Sequence, residues 1–184
     1  EHVRMVTTDG HRLSKMEIAT PAGSAPVSLL LPLKAVAEFK RLADEARAET
    51  AKDSPVTIEL VHSGPNAFFK VAQATFIVKI VDAQFPAYQQ VIPRKSAHSA
   101  RVPRAAFADA LKAVSLAAAS RTGGVRVAMS SGLLRITSES PDAGNGFDEL
   151  PVECEGPELT IGFNANYFIE VLSAMTDDDV ALSL

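Results

Sequence analysis

One layout occurs three times along this chain: a short apolar run, then proline or asparagine, then an amphipathic stretch. The apolar runs predict strands at residues 27–31, 100–102 and 159–163. Helices should begin after Pro32, Pro103 and Asn164 and reach about Arg47, Ser120 and Met175. Proline suits a first helical turn, where its missing N–H is no loss, and asparagine is a good N-cap. A repeated unit of this kind indicates a protein built from similar modules.

Strand-like runs fill the intervals between the predicted helices. They lie at residues 56–61, 67–71, 75–81, 125–129, 133–137, 147–154 and 180–184, and residues 138–146 are expected to form a loop. Gly123-Gly124 and Thr176-Asp177 are expected to stop the second and third helices. Strand meanders between helices predict an α+β fold, with helices on one face of antiparallel sheets.

A polar, turn-prone segment at residues 94–99 predicts a domain boundary. The two domains would be residues 1–93 and 94–184. The second holds two of the strand–helix units and the first holds one. If the domains share one design, the first lacks a unit before Glu1 and the second stops within a strand pattern. We therefore expect a piece of a longer protein.

Asp9-Gly10 lies between two runs that alternate apolar and polar residues, at 3–6 and 13–18. This arrangement is typical of a β-hairpin with a tight turn. A plain turn is one interpretation of the segment. Asp9, His11 and Arg12 also permit an acid/base site, and a hydrolase built on Asp9 and His11 is one rival hypothesis. The chain has no nucleophile motif, phosphate-binding glycine loop or metal-ligand spacing, so we expect no catalysis.

Helical spacing separates an apolar face from a polar face on each helix. The apolar faces are Val36, Phe39, Leu42, Ala43 and Ala46; then Phe107, Ala110, Leu111, Val114 and Ala118; and last Phe168, Val171, Leu172 and Met175. Lys34, Arg41 and Lys112 should point outward, and so should Leu116. An outward leucine is either an isolated exposed residue or a contact with another subunit.

Charge is unevenly distributed, although the whole chain carries only −4. Residues 94–135 carry a net +7 and residues 136–184 a net −11, the latter without any lysine or arginine. Such a chain can present a basic surface to a partner, or its charges can simply be solvated. One or two basic residues per helix suit sequence-blind phosphate contact better than base reading. The consecutive acids Asp177, Asp178 and Asp179 fit a solvated helix end rather than a cation site.

Composition excludes several other classes of protein. The chain has one cysteine and four scattered histidines, which argues against a disulfide framework or a structural zinc site and fits a reducing cytoplasm. It has no apolar run long enough to span a membrane and no secretory signal pattern at its start. We expect no cofactor and no metal.

Three motifs, TDGHRL at 8–13, FPAYQQVIP at 85–93 and GFNANY at 162–167, occur in an order and spacing that resemble one family. This family is the bacterial DNA sliding clamp, the beta subunit of replicative DNA polymerase III. The resemblance covers most of the middle domain and most of the third domain. It implies a homodimeric ring that encircles duplex DNA without sequence specificity, with helices inside and sheets outside. The implied role is polymerase processivity.

The resemblance also implies specific sites. Partners such as the replicative polymerase, the clamp loader and repair polymerases would insert short peptides into a cleft between the two domains. The matching residues are Thr8, Gly10, His11, Arg12, Leu13, Pro86, Gln90, Val91, Asn164 and Tyr167. Gln90 stands where family members often carry arginine. The residues that would face DNA are Lys34, Arg41, Arg104 and Lys112, and Leu116 would lie at the dimer interface. A peptide-binding scaffold without a DNA role is the alternative function.

Overall fold

The computed structural model describes residues 2–20, 26–51, 54–93, 96, 98–118 and 123–184. The chain divides into two compact units. Unit 1 comprises Glu1–Thr7 and Lys15–Gln89, and unit 2 comprises Thr8–Ser14 and Gln90–Leu184. No helix in the described part of the chain is both long and apolar enough to cross a membrane.

Among its described residues, unit 1 combines one helix with antiparallel strands. Strands β1 (His2–Thr8) and β2 (Leu13–Ala19) pair as the predicted hairpin, whose turn belongs to unit 2. Helix α1 (Leu33–Glu49) follows, and a meander in the order β3-β4-β5 completes the unit. The three meander strands are Ile58–Ser63, Asn66–Val71 and Ala74–Lys79.

The core of unit 1 forms where α1 meets the meander. Ala67, Phe69 and Val78 are buried, and Phe39 of α1 packs on Phe69 with ring centroids 4.7 Å apart. Burying each large apolar side chain contributes roughly 1.5–3 kcal/mol, which fixes the apolar face of α1 on the strands. The predicted orientation of this helix is confirmed, since Ala46 is buried while Lys34 and Arg41 are exposed.

The described part of unit 2 contains two helices and two antiparallel sheets. Its strands are β6 (Ser99–Pro103), β7 (Gly124–Ser130), β8 (Leu133–Ser140), β9 (Gly144–Pro151), β10 (Glu153–Glu155), β11 (Leu159–Asn164) and β12 (Asp179–Ser183). Its helices are α2 (Arg104–Ser115) and α3 (Ala165–Ala174). The sheet orders are β10-β6-β12 and β11-β7-β8-β9. The predicted α+β class, with antiparallel sheets and amphipathic helices, is confirmed.

The core of unit 2 lies between α2, α3 and the four-stranded sheet. The predicted inner face of α2 is confirmed, because Phe107, Leu111 and Val114 are almost completely buried. Alternate residues of β7 and β8 face them, as the period of two requires. The ring of Phe107 meets Phe168 of α3 edge to face at 5.6 Å, so the two helices share this core.

One predicted strand does not form, and the second predicted helix ends earlier than expected. Residues 27–31 form no strand. The Leu30 carbonyl accepts a hydrogen bond from the backbone N–H of Val81 at 2.8 Å, but one such bond does not make a ladder between two strands. The apolar side chains of Leu29 and Leu31 pack on the core of unit 1, which explains the apolar pattern of this run without a strand. Helix α2 ends at Ser115, where the chain tightens into i to i+3 bonds, and the predicted end at Ser120 falls outside the described residues.

The predicted loop at residues 138–146 is also wrong. Strand β8 continues to Ser140 and β9 begins at Gly144, so the connection is only three residues long. Ser138 is buried and its hydroxyl donates to the carbonyl of Val114 at 2.7 Å. A side chain on Gly146 would come within 3.1 Å of the same carbonyl. These small residues therefore allow α2 to approach the strands closely, and their polarity does not indicate a loop.

Two further details differ from the predictions. The predicted strand 147–154 is divided between β9 and β10, which lie in different sheets, with buried Val152 between them. On α3 the buried face is shifted: Ala165 and Leu172 are buried, whereas Val171 and Met175 are 38% and 42% exposed. Phe168 and Leu172 of the predicted face do contact the core of unit 2, so the buried stripe is rotated only in part, toward Ala165 and Ile169.

Candidate functional site

The connection between β1 and β2 is a turn over residues 9–12, in which the backbone N–H of Asp9 donates to the carbonyl of Arg12 at 3.4 Å. Asp9 Oδ1 accepts hydrogen bonds from the backbone N–H groups of His11 and Arg12, both at 3.0 Å. The Thr8 hydroxyl donates to the Arg12 carbonyl at 2.7 Å. Gly10 has a φ of +86°, a conformation that a residue with a side chain rarely adopts. The sequence of the turn therefore specifies its shape.

These bonds also determine the chemistry of Asp9. Two backbone N–H groups, followed by the guanidinium of Arg12, lower the pKa of this carboxyl below its ordinary value. A general base at neutral pH requires a raised carboxyl pKa. Asp9 is therefore suited to hold the turn and unsuited to the hydrolase hypothesis.

Helix α3 begins beside Asn164, which acts as the predicted N-cap. Its side-chain oxygen accepts from the backbone N–H of Asn166 at 2.9 Å. The N–H of Ala165 donates to the Gly123 carbonyl, also at 2.9 Å, and ties the start of the helix to the start of β7. Tyr167 lies in this fixed first turn, and Glu170 lies one turn later on the same side.

The turn and α3 meet within unit 2. The ring of His11 stacks on Tyr167 with centroids 6.4 Å apart and an interplanar angle of 22°. The guanidinium carbon of Arg12 lies 4.8 Å from the centre of the Tyr167 ring. Arg12 also forms ion pairs with Glu170 and with Asp9, the latter at 3.0 Å. We call Asp9, His11, Arg12, Tyr167 and Glu170 the Arg12 cluster.

Two members of the Arg12 cluster, Asp9 and Glu170, are absent from the peptide-binding residues predicted from the sequence. Glu170 is the largest cause of the raised pKa of Arg12, and Asp9 is the second. The sequence carried a local signal for Asp9, but nothing in it connected Glu170 to Arg12. An aspartate favours a turn in which its side chain accepts from the backbone N–H groups two and three residues later. Glu170 is the only charged residue of α3.

The other predicted peptide-binding residues lie outside the Arg12 cluster. Gln90 and Val91 belong to unit 2, and Val91 is 70% exposed. Among the described residues, no hydrogen bond, ion pair or ring contact joins either to the Arg12 cluster. Leu13 begins β2 and is half-buried. Pro86 is exposed in unit 1, where its carbonyl accepts from Tyr88 N at 2.7 Å ahead of a 3₁₀ turn at Tyr88–Gln90.

Three of the four cations expected to face DNA are bound to groups of the protein. Arg41 forms ion pairs with Glu38 and Glu45 on its own helix. Lys112 pairs with Asp109 at 3.2 Å.

The third bound cation, Arg104, donates from Nε to the Asp177 carbonyl at 2.7 Å and from Nη1 to the Leu172 carbonyl at 3.3 Å. It thereby ties the start of α2 to the end of α3. Lys34 is exposed on α1.

Leu116 follows the last residue of α2 and is 83% exposed, as the helical pattern predicted. Within the residues that the structure describes, no group of three or more histidine, cysteine, aspartate or glutamate side chains could hold a metal ion.

Comparison with known proteins finds two family models that match consecutive parts of the chain. The family model for the central domain of the DNA polymerase III beta subunit matches residues 1–87. The model for the C-terminal domain of that subunit matches residues 89–184. This chain belongs to the DNA polymerase III beta subunit family. The resemblance carried by TDGHRL, FPAYQQVIP and GFNANY is thereby confirmed.

Individual beta subunits are similar to this chain in sequence and fold over nearly its whole length. The beta sliding clamp of Caulobacter vibrioides is 32% identical over 170 residues, which cover 92% of this chain and 44% of that protein. The crystal structure of the Pseudomonas aeruginosa sliding clamp is 27% identical with a TM-score of 0.89, covering 100% of this chain and 49% of that one. A second P. aeruginosa structure, bound to griselimycin, is 27% identical with a TM-score of 0.88, covering 100% and 48%. The chain spans about half the length of the beta subunits it matches.

Proposed function

We propose that this chain acts in a DNA polymerase processivity factor, a ring-forming sliding clamp that encircles duplex DNA and tethers the polymerase to it. The observation that carries the proposal is the succession of two beta-subunit domains along the whole chain. The agreement of the fold with the P. aeruginosa sliding clamp supports it. We place the boundary between the two domains at residues 93 and 94. The function needs no cofactor and no catalysis, and we assign it to the bacterial cytoplasm.

The tether is a peptide-binding site that includes the Arg12 cluster. Its proposed residues are Thr8, Gly10, His11, Arg12, Leu13, Pro86, Gln90, Val91, Asn164 and Tyr167. Leu13 and Val91 offer apolar surface, while His11, Arg12 and Tyr167 offer hydrogen-bonding groups to a peptide backbone. The griselimycin-bound P. aeruginosa clamp supports a ligand site in this family. The ligands proposed for this chain are the linear tails of the polymerase, the clamp loader and repair polymerases.

The peptide site is tested by titrating the protein with a fluorescent peptide copied from the polymerase tail. We expect His11→Ala, Arg12→Ala and Leu13→Ala each to weaken binding while circular dichroism stays unchanged. Arg135→Ala is the matched control, because Arg135 is also exposed and also paired with a glutamate. Identical titration curves for all three variants and the control would remove the peptide site from this surface.

The DNA-facing surface is proposed to involve Lys34, Arg41, Arg104 and Lys112. Helix α1 carries four basic and four acidic residues, so its charge is balanced, and its ion pairs weaken any single phosphate contact. Weak contacts suit a ring, because a closed ring retains DNA topologically and still has to slide.

Charge reversal tests the DNA-facing surface. Replacing Lys34, Arg41 and Lys112 by glutamate should slow loading on circular DNA and make retention more sensitive to salt. The control replaces Lys70, Lys79 and Arg135, which are equally exposed cations on strands. Equal retention by the two triple variants would show that helix charges have no special role.

The subunit contact is proposed to include Leu116. Leu116→Asp should move the sedimentation coefficient from dimer toward monomer, because an apolar contact would be replaced by a buried charge. Leu33→Asp is the control, since Leu33 is 82% exposed against 83% for Leu116. Dimers that persist in the first variant would exclude Leu116 from the interface.

A peptide-binding scaffold without a DNA role is the second candidate. The pairing of Arg41, Arg104 and Lys112 with protein groups favours it, since it leaves few unpaired cations on these helices. The scaffold predicts the same peptide affinity but no gain in primer-extension length when the protein is added to the polymerase. The clamp predicts products lengthened many-fold on a primed circle.

A further inference from the structure

Arg12 is held at two separate points of its guanidinium group. Nε donates to Asp9 Oδ2 at 3.0 Å, and Nη1 donates to Glu170. Because the guanidinium is planar, two bonds in different directions fix both its position and its orientation. The guanidinium carbon lies 4.8 Å from the centre of the Tyr167 ring, a third point of contact. We propose that Glu170 is a positioning residue that holds Arg12 on Tyr167 and so preforms the peptide-binding site.

This inference rests on the proposed peptide-binding function and adds a residue that acts through Arg12. The hydrogen bonds of Arg12 to Asp9 and Glu170 use Nε and Nη1. Its Nη2 donors have no hydrogen-bond partner among the described residues, so they can donate to a ligand. Nη2 presents two N–H groups in a fixed direction once the other two nitrogens are held. Each of these N–H groups can donate to one carbonyl oxygen of a docked peptide backbone.

The position of Glu170 fits this role better than a role in stability. Its side chain is 60% exposed and that of Arg12 is 40% exposed, and ion pairs between exposed groups contribute little to folding. The effect on binding is larger, because an ordered arginine loses less conformational freedom when a ligand arrives. Ordering one flexible side chain in advance corresponds to about a 2- to 10-fold gain in affinity.

The charges of the Arg12 cluster indicate that Arg12 binds a peptide through directional hydrogen bonds rather than through long-range attraction of an acidic ligand. Two carboxylates, Asp9 and Glu170, face one guanidinium, so the cluster has no excess positive charge to draw in an acidic ligand. Arg12→Lys separates the two effects. Lysine keeps the charge but lacks the planar fork, so we expect its peptide affinity to resemble that of Arg12→Ala.

A double-mutant cycle tests whether Glu170 acts through Arg12. The fluorescent polymerase-tail peptide is titrated into wild type, Glu170→Gln, Arg12→Ala and the double variant, with Glu158→Gln as an exposed control. We expect Glu170→Gln to weaken binding about 3- to 10-fold in the wild-type background. In the Arg12→Ala background it should change affinity by less than about 1.5-fold.

A spectroscopic readout detects the position of Arg12 directly. The chain has two tyrosines, Tyr88 and Tyr167, so fluorotyrosine labelling gives two ¹⁹F signals. Glu170→Gln should shift the Tyr167 signal and leave Tyr88, in unit 1, unchanged. Equal losses of affinity in both backgrounds, or an unmoved Tyr167 signal, would overturn the positioning role while peptide binding stands. A wild-type protein that does not bind the peptide would overturn the proposed function and this inference together.

Discussion

The N-cap of α3 offers a quantitative test of how the fold supports the site. Asn164→Ala removes the oxygen that accepts from Asn166 N at 2.9 Å. Loss of such a cap costs about 1 kcal/mol, within a range of roughly 0.5–2 kcal/mol. With a urea dependence of about 1–3 kcal/mol per molar, the unfolding midpoint of unit 2 should fall by roughly 0.3–1 M.

The two fluorotyrosine signals allow the effect to be assigned. Tyr167 reports on unit 2 and Tyr88 on unit 1, so only the Tyr167 midpoint should move. Asn164→Asp keeps an acceptor at the cap and places a negative charge at the positive end of the helix, so its midpoint should stay near wild type. Peptide affinity should also fall in Asn164→Ala, since Tyr167 lies in the turn that frays. An Asp variant as destabilised as the Ala variant would refute the capping argument.

Three further outcomes follow from local geometry. Ala72→Gly should stabilise unit 1 by about 1 kcal/mol in urea titrations, because Ala72 has a φ of +51°. Gly146→Ala should destabilise unit 2 by about 1–3 kcal/mol, because its Cβ would meet an α2 carbonyl at 3.1 Å, whereas Gly162→Ala has open space and should be neutral. Bonds from Arg4 lower the pKa of Glu17 to about 2. This folded-state pKa is depressed, so its stabilising effect is present above about pH 4.5 and is lost as the pH falls toward 2. Carboxyl NMR should show the Glu17 midpoint rising in Arg4→Gln.

The helices and most strands were predictable because their signals are local. Pro32, Pro103 and Asn164 precede helices at the expected places, and the apolar faces of α1 and α2 follow the period of 3.6. The errors occurred where tertiary packing outweighs local composition. Ser138 and Gly146 have loop-like chemistry, yet they form paired strands because α2 packs directly on them.

The candidate site was predicted only in part for a related reason. The turn residues and Tyr167 could be recognised from their motifs, but Glu170 lies 158 positions from Arg12 in the sequence. No local pattern connects residues that far apart. The ion pairs of Arg41 with Glu38 and Glu45 were readable from helical spacing, since they lie three and four residues away.

Topological retention on DNA tests the central claim most directly. The protein is loaded on a nicked circular plasmid, separated from free protein by gel filtration, and the plasmid is then cut once with a restriction enzyme. A sliding ring predicts that the protein stays with the circle and leaves after linearisation, because it runs off the free ends. Equal retention on circular and linear DNA, or none on either, would contradict the clamp.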